Sequence, residues 1–182
     1  MSSWRLGVVV CGLSIAATAA SAGPIDSRKD LQVVKDVGTS IERYTAFTIF
    51  DDVSMGVTDG VVTLSGSVTM PYKREDIDKR VRRVAGVTSV VDNISVLPVS
   101  TWDDALRYRI ARAIYGHPNF WNAATMVNPP IHIVVDRGHV ALTGAVASEV
   151  DRMLAQSLAS GSGAFSVTNA LKTDAEIRDT LD

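Results

Sequence analysis

The chain is poor in cysteine, has no excess of charge of either sign, and holds no long apolar run beyond its first residues. Its single cysteine, Cys11, lies inside that first apolar run. Past it, no disulfide and no thiolate metal site can form. The 18 lysines and arginines stand against 20 aspartates and glutamates, a formal net charge of −2. That balance argues against a dedicated nucleic-acid binder, which is usually basic as a domain. After residue 22 no stretch approaches the ~18 apolar residues of a membrane-spanning helix.

The first two dozen residues carry what the rest lacks. Arg5 gives a positive start, Leu6 to Ala17 is almost unbroken apolar sequence, and Ala20-Ser21-Ala22 has the A-x-A form that signal peptidase reads. These are the three parts of a secretory signal. The expectation is a signal peptide over 1–22, cleavage after Ala22 and a periplasmic mature chain starting at Gly23 with no transmembrane span. Val10 precedes Cys11 where a lipobox needs a small residue, so lipid attachment is disfavoured.

An internal repeat organises the remainder. Residues 58–68 read T-D-G-V-V-T-L-S-G-S-V, and residues 136–146 read D-R-G-H-V-A-L-T-G-A-V. At a spacing of 78, Gly60, Val62, Leu64, Gly66 and Val68 fall on Gly138, Val140, Leu142, Gly144 and Val146. Duplication at a fixed period is the first thing to seek in a sequence, because it decides the domain count. Helix-like segments flank each match, at 31–44 and 71–85 in the first copy and at 105–115 and 148–160 in the second. A β-type run near an asparagine, Asn93 or Asn169, closes each. The order is α-β-β-α-β twice, with domains expected over 30–97 and 104–174, a linker over 98–103 and a tail over 175–182.

Periodicity assigns the pieces. Leu31, Val34, Val37, Ile41 and Tyr44 recur at helical steps, and Ile77, Val81 and Val84 give the second helix its buried stripe. Val53, Met55 and Val57 alternate with polar or small residues, as in a half-buried strand. Asp59-Gly60 is a two-residue hairpin turn, matched by Arg137-Gly138. That turn pairs Val57 with Val62 and Met55 with Leu64, and in the second copy Val135 with Val140 and Ile133 with Leu142. Gly66 and Gly144 are read as a bend or a close backbone approach. Each copy is small and has no disulfide, so the two are expected to pack together.

The search for chemistry finds little. His139 faces Asp136 and His132 lies opposite Thr143, about 13 Å apart along the strand at about 3.3 Å per residue, too far for one metal ion. His117 has no partner at ligand spacing. Ser65-Gly66-Ser67 lacks the nucleophile-elbow pattern, and Gly161-Ser162-Gly163 lacks the phosphate-loop pattern. Asp51-Asp52 reads as surface loop. No catalytic residue, metal site or cofactor is expected.

Two features can carry binding. Lys73, Arg74, Lys79, Arg80, Arg82 and Arg83 crowd one helix, with 79, 80 and 83 on the side away from its apolar stripe. Such a face attracts anionic lipid head groups, although Glu75, Asp76 and Asp78 offset part of the charge. Phe120 and Trp121 stand in a long loop of the second copy, either as an interfacial anchor or, the favoured reading, packed between the domains.

The hairpin D-G-V-V-T-L-S-G-S-V, the following helix and A-G-V-T-S-V-V-D-N-I resemble the BON domain, named for bacterial osmotic-shock and nodulation proteins. Gly60, Gly66, Gly86, Gly138 and Gly144 are the backbone signature of that resemblance. The second copy departs from it where Gly161-Ser162-Gly163-Ala164-Phe165 replaces the final G-V-x-x-V turn. The resemblance implies an α+β fold of two tandem α-β-β-α-β domains, each a three-stranded mixed sheet with two helices on one face. It also implies a periplasmic, non-catalytic envelope protein that contacts phospholipid surfaces and supports envelope integrity or osmotic-stress tolerance. The alternative is a protein-interaction or chaperone-like module that pairs an envelope protein through an exposed sheet edge.

Overall fold

The computed structural model describes residues 24–179. The expected signal peptide, with Cys11 and the cleavage site, lies outside the described residues, as do positions 180–182 of the expected tail.

The first copy runs α1 (Pro24–Glu42), β1 (Asp52–Thr58), β2 (Val61–Val68), α2 (Pro71–Val81) and β3 (Ser89–Val96). The second runs α3 (Thr101–Tyr115), a 3-10 turn (Pro118–Phe120), α4 (Trp121–Ala124), β4 (Ile131–Asp136), β5 (His139–Val146), α5 (Glu149–Ser160), β6 (Ser166–Asn169), β7 (Lys172–Thr173) and α6 (Asp174–Asp179). α3 begins inside the expected linker, because Ser100 caps it by accepting from the Asp103 N–H at 3.2 Å. α6 occupies most of the expected tail.

Each sheet has the expected mixed topology. β1 pairs antiparallel with β2, and β3 lies parallel to β2 on its other side. β4, β5 and β6 repeat that order. β7 continues β6 along β5 in the same register, so the two are one strand interrupted at Ala170 and Leu171. The hairpin pairs are Val57 with Val62, Met55 with Leu64, Val135 with Val140 and Ile133 with Leu142, as the two-residue turns require. Both turn residues of each hairpin have positive φ, 52° and 75° at Asp59 and Gly60, 48° and 80° at Arg137 and Gly138. This is the backbone of a type I′ turn.

The turns are held by carboxylates from the helix that opens each copy. Asp30 accepts from the Asp59 and Gly60 N–H groups at 2.9 and 3.0 Å. Asp103 accepts from those of Arg137 and Gly138 at 3.0 and 2.8 Å. The turn therefore keeps its backbone donors satisfied under the end of the helix. Gly66 is a close approach, as expected: a Cβ there would lie 2.2 Å from the Asp52 carbonyl oxygen, and one at Gly144 would lie 1.9 Å from that of Pro130.

One core fills each copy. Val33, Val37, Ile41 and Tyr44 of the α1 region pack with Val62, Leu64, Val68, Ile77, Val81 and Ile94. The buried stripe of α1 is thus rotated from the one periodicity suggests, leaving Leu31 65% and Val34 36% exposed. α2 ends at Val81, short of Ala85, and Val84 packs only partly. In the second copy Leu106, Ile110 and Ile114 of α3 face Ile131, Ile133, Val135, Val140 and Leu142.

The copies pack together through the segment between α1 and β1. The Ile49 carbonyl accepts from the Ile133 N–H at 2.7 Å, so a piece of the first copy pairs with the outer edge of β4. His132 Nδ1 donates to the Asp51 carbonyl at 2.6 Å, and its ring lies 5.6 Å from that of Phe47. Phe50 meets Tyr108 edge-on at 5.3 Å. His132 is therefore part of the interface between the copies rather than a solvent-facing strand residue.

Candidate anion-binding cleft and sheet edges

The six cations of the basic helix segment take three different roles. Lys73 is buried, and its ammonium meets the buried Asp51 carboxylate at 2.6 Å and the Thr69 hydroxyl at 2.8 Å. It cannot face a head group. Asp51 is correspondingly no surface-loop residue. Its carboxylate also accepts from the N–H and hydroxyl of both Thr48 and Thr69, at 2.7 to 2.9 Å. Burial alone would raise its pKa; the Lys73 ammonium and these donors outweigh it and hold the carboxyl below its ordinary value. Adjacent side chains on an extended chain do point opposite ways, and here one of those ways is inward.

Arg74 and Arg82 turn toward β3. Arg74 pairs with Asp92 at 2.8 Å and donates to the Asp92 carbonyl at 3.2 Å. Arg82 pairs with Asp78 at 2.7 Å and donates to the Val90 carbonyl at 3.3 Å.

Lys79, Arg80 and Arg83 remain. They line one cleft of about 470 Å³ between α1 and α2, with Ser40 and Asp76. Arg80 sits 4.7 Å over the Tyr44 ring, and the Tyr44 hydroxyl donates to Asp76 at 2.8 Å. Burial first, then that bond to Asp76, pushes the Tyr44 pKa up to about 12, so the phenol stays a donor and occupies the one carboxylate in the cleft. Lys79 makes a single 3.5 Å contact with Glu75 on an exposed surface, worth little to either partner. The cleft thus joins three cations and a hydroxyl at the last turn of α2, where the helix dipole also favours positive side chains. Ser40 and Asp76 were missed as cleft residues because only folding brings α1 beside α2.

The aromatic pair separates. Phe120 is buried in the second copy's own core, which excludes it as an interfacial anchor and as a filler between the domains, while Trp121 is 68% exposed. Among the described residues no three histidine, cysteine or acidic side chains gather as a metal ion would need, and no helix is long and apolar enough to cross a membrane.

Three of the four sheet edges have some of their outward backbone groups taken by side chains or by chain. On β3, Arg82 and Arg74 take the Val90 and Asp92 carbonyls, and Asp92 accepts from the Ile94 N–H at 2.9 Å. On the β6–β7 edge, Arg152 donates to the Leu171 carbonyl at 3.4 Å and Asn169 accepts from the Leu171 N–H at 3.2 Å. On β4, the Tyr115 hydroxyl takes both backbone groups of Ile131, Ile49 takes the Ile133 N–H, and Arg107 donates to the Val135 carbonyl at 2.6 Å. Cover of this kind guards an edge against strand addition.

Scanned against family models, the chain matches the BON domain twice, over residues 29–98 and 103–175. The chain belongs to the BON domain family. Its two BON copies account for nearly all of the described residues. Among solved structures, it is similar to CdsD, a structural protein of the type III secretion system of Chlamydia trachomatis, at 15% identity over 82% of this chain and 97% of that one, with a TM-score of 0.29. The C-terminal domain of CdsD is similar at 13% identity over 79% and 98% of the respective chains, again at 0.29. No curated protein matches. The altered final turn of the second BON copy keeps its backbone role: the Phe165 N–H donates to the Gly138 carbonyl at 2.9 Å, as the Thr88 N–H does to Gly60 at 2.8 Å.

Proposed function

We propose that this tandem BON protein is a non-catalytic, periplasmic envelope protein that contacts anionic phospholipid surfaces through the Lys79–Arg80–Arg83 cleft. The observation that carries the reading is the sorting of the six cations. Three are consumed by the fold, and the three left over share one open cleft with a hydroxyl donor. A phosphate diester presents oxygens that accept from guanidinium, ammonium and hydroxyl together. Attraction of about 1 kcal/mol per basic residue near an anionic bilayer gives weak, reversible, salt-sensitive attachment with no covalent step. The BON resemblance, which implies an envelope-associated binding role, points the same way, and support of envelope integrity or osmotic-stress tolerance would be its consequence.

The test is sedimentation with neutral or anionic phosphatidyl-lipid vesicles at low and high salt, beside a triple variant with Lys79, Arg80 and Arg83 changed to glutamine. Pelleting with anionic vesicles at low salt only, lost in the variant, is the expected result. Pelleting that survives both high salt and the substitutions would remove the cleft from the mechanism.

A further inference from the structure

The fourth sheet edge, β1, carries no hydrogen bond on its outer side among the described residues, although part of it lies beside β4. Register and the two-residue turn place Val53, Met55 and Val57 with their backbone N–H and C=O groups outward, since the alternate residues bond to β2. Among the described residues no hydrogen bond reaches those outward groups. Their counterparts in the second copy, 78 residues on, are Ile131, Ile133 and Val135, all of which are bonded. The difference lies in the opening helix. By the spacing of 73 that aligns Asp30 with Asp103, Val34 stands where α3 has Arg107, and Glu42 where it has Tyr115. The side chains that close the β4 edge are absent from α1.

The usual guards against strand addition are missing from β1 as well. It has no lysine, no proline and no inward-pointing charge, and its only acid, Asp52, is its first residue. Leu31 and Val34 leave apolar surface exposed on α1, the helix that packs over β1.

We infer that β1 pairs antiparallel with β1 of a second copy of this chain, about a two-fold axis at Met55. This inference is independent of the head-group reading. The strand is self-complementary about that point. Met55 faces its own equivalent, Val53 faces Val57 of the other copy, and each such pair exchanges two N–H···O bonds. Asp52 then lies opposite the neutral Thr58, so no like charges meet. The axis brings the two α1 helices toward each other on one face of a continuous sheet, where Leu31 and Val34 cover one another. On the other face, Ser54 lies opposite Gly56 of the second copy, and a side chain at Gly56 has open space around it.

That last pair gives the test. Sedimentation velocity of the purified protein over a wide concentration range should show a monomer–dimer equilibrium. Ser54→Arg with Gly56→Arg sets arginine opposite arginine across the axis and should leave the protein monomeric. Ser54→Arg with Gly56→Glu sets arginine opposite glutamate and should restore the dimer. Both substitutions lie on the exposed face, so circular dichroism should match wild type. A wild-type protein that is monomeric throughout overturns the inference and leaves the edge to an extended segment of another protein. A double-arginine variant that dimerises like wild type overturns it too, and an arginine–glutamate variant that stays monomeric overturns the register.

Discussion

The carboxylate of Asp51 and the ammonium of Lys73 meet at 2.6 Å with neither side chain more than 6% exposed. Asp51 also carries the carbonyl that His132 holds across the interface between the copies. One residue thus fixes the α1–β1 segment from its side chain and the second copy from its backbone.

Lys73→Met should destabilise the protein by about 3–5 kcal/mol, because it leaves a buried charge without its counter-ion. Asp51→Asn combined with Lys73→Met should cost clearly less than the two single changes added together. Urea unfolding of the three variants checks both statements.

The same pair sets an acid limit. The Asp51 carboxyl is held below its ordinary value in the folded state, so its contribution is present above the unfolded pKa of ~3.9 and is lost as pH falls through the folded one. Thermal melts from pH 5 downward should show Tm falling, with a shallower fall in the Asp51→Asn, Lys73→Met double variant.

An alkaline limit comes from two tyrosines. Burial is the first cause that pushes both Tyr44 and Tyr115 up to about 12; the bond to Asp76 adds to it at Tyr44, while the Ile131 N–H, which donates to the Tyr115 oxygen, partly opposes it. A raised folded pKa means the stabilisation is complete below the unfolded value of ~10 and drains away as pH rises toward 12. Tyr44→Phe and Tyr115→Phe should each flatten that decline, as followed by circular dichroism between pH 9 and 12.

Asp103→Ala should cost about 1–3 kcal/mol, since it strands the turn donors of Arg137 and the buried Gly138. Asp30→Ala should cost less, because Asp30 is only part-buried where Asp103 is fully buried, so water reaches the stranded donors of that turn more easily. Amide hydrogen exchange at the two turns separates the cases.

The hairpin register and the duplication were legible in the sequence because both rest on local signals: a two-residue turn, a period of two, and glycines whose backbone has no substitute. Gly66 and Gly144 were read as a bend or a close approach for that reason. The stripe on α1 was read rightly at Val37, Ile41 and Tyr44 and wrongly toward its start, because Val33 and Val34 both stand at helical spacing from Val37. Nothing in a one-dimensional pattern says which of two apolar faces meets a sheet. Asp51, Asp103 and Arg107 were not legible at all. Each is a charged side chain held by backbone or by a side chain far along the chain, beside nearer partners such as Asp104 for Arg107, and the distant bonds leave no periodic trace. The basic run was visible as a run, but which of its members the fold would consume was not.

The carbonyl of Ile49 that completes the β4 edge belongs to the domain before it. A unit of this design is finished by its predecessor, as a brick course is finished by the mortar already laid. In any tandem array built on the same joint, every unit that follows another has an acceptor behind it. Duplication therefore did not produce two equal modules. It produced a second domain whose outer strand is finished partly by the first, and a first domain whose own helix lacks the arginine and tyrosine that would finish its border.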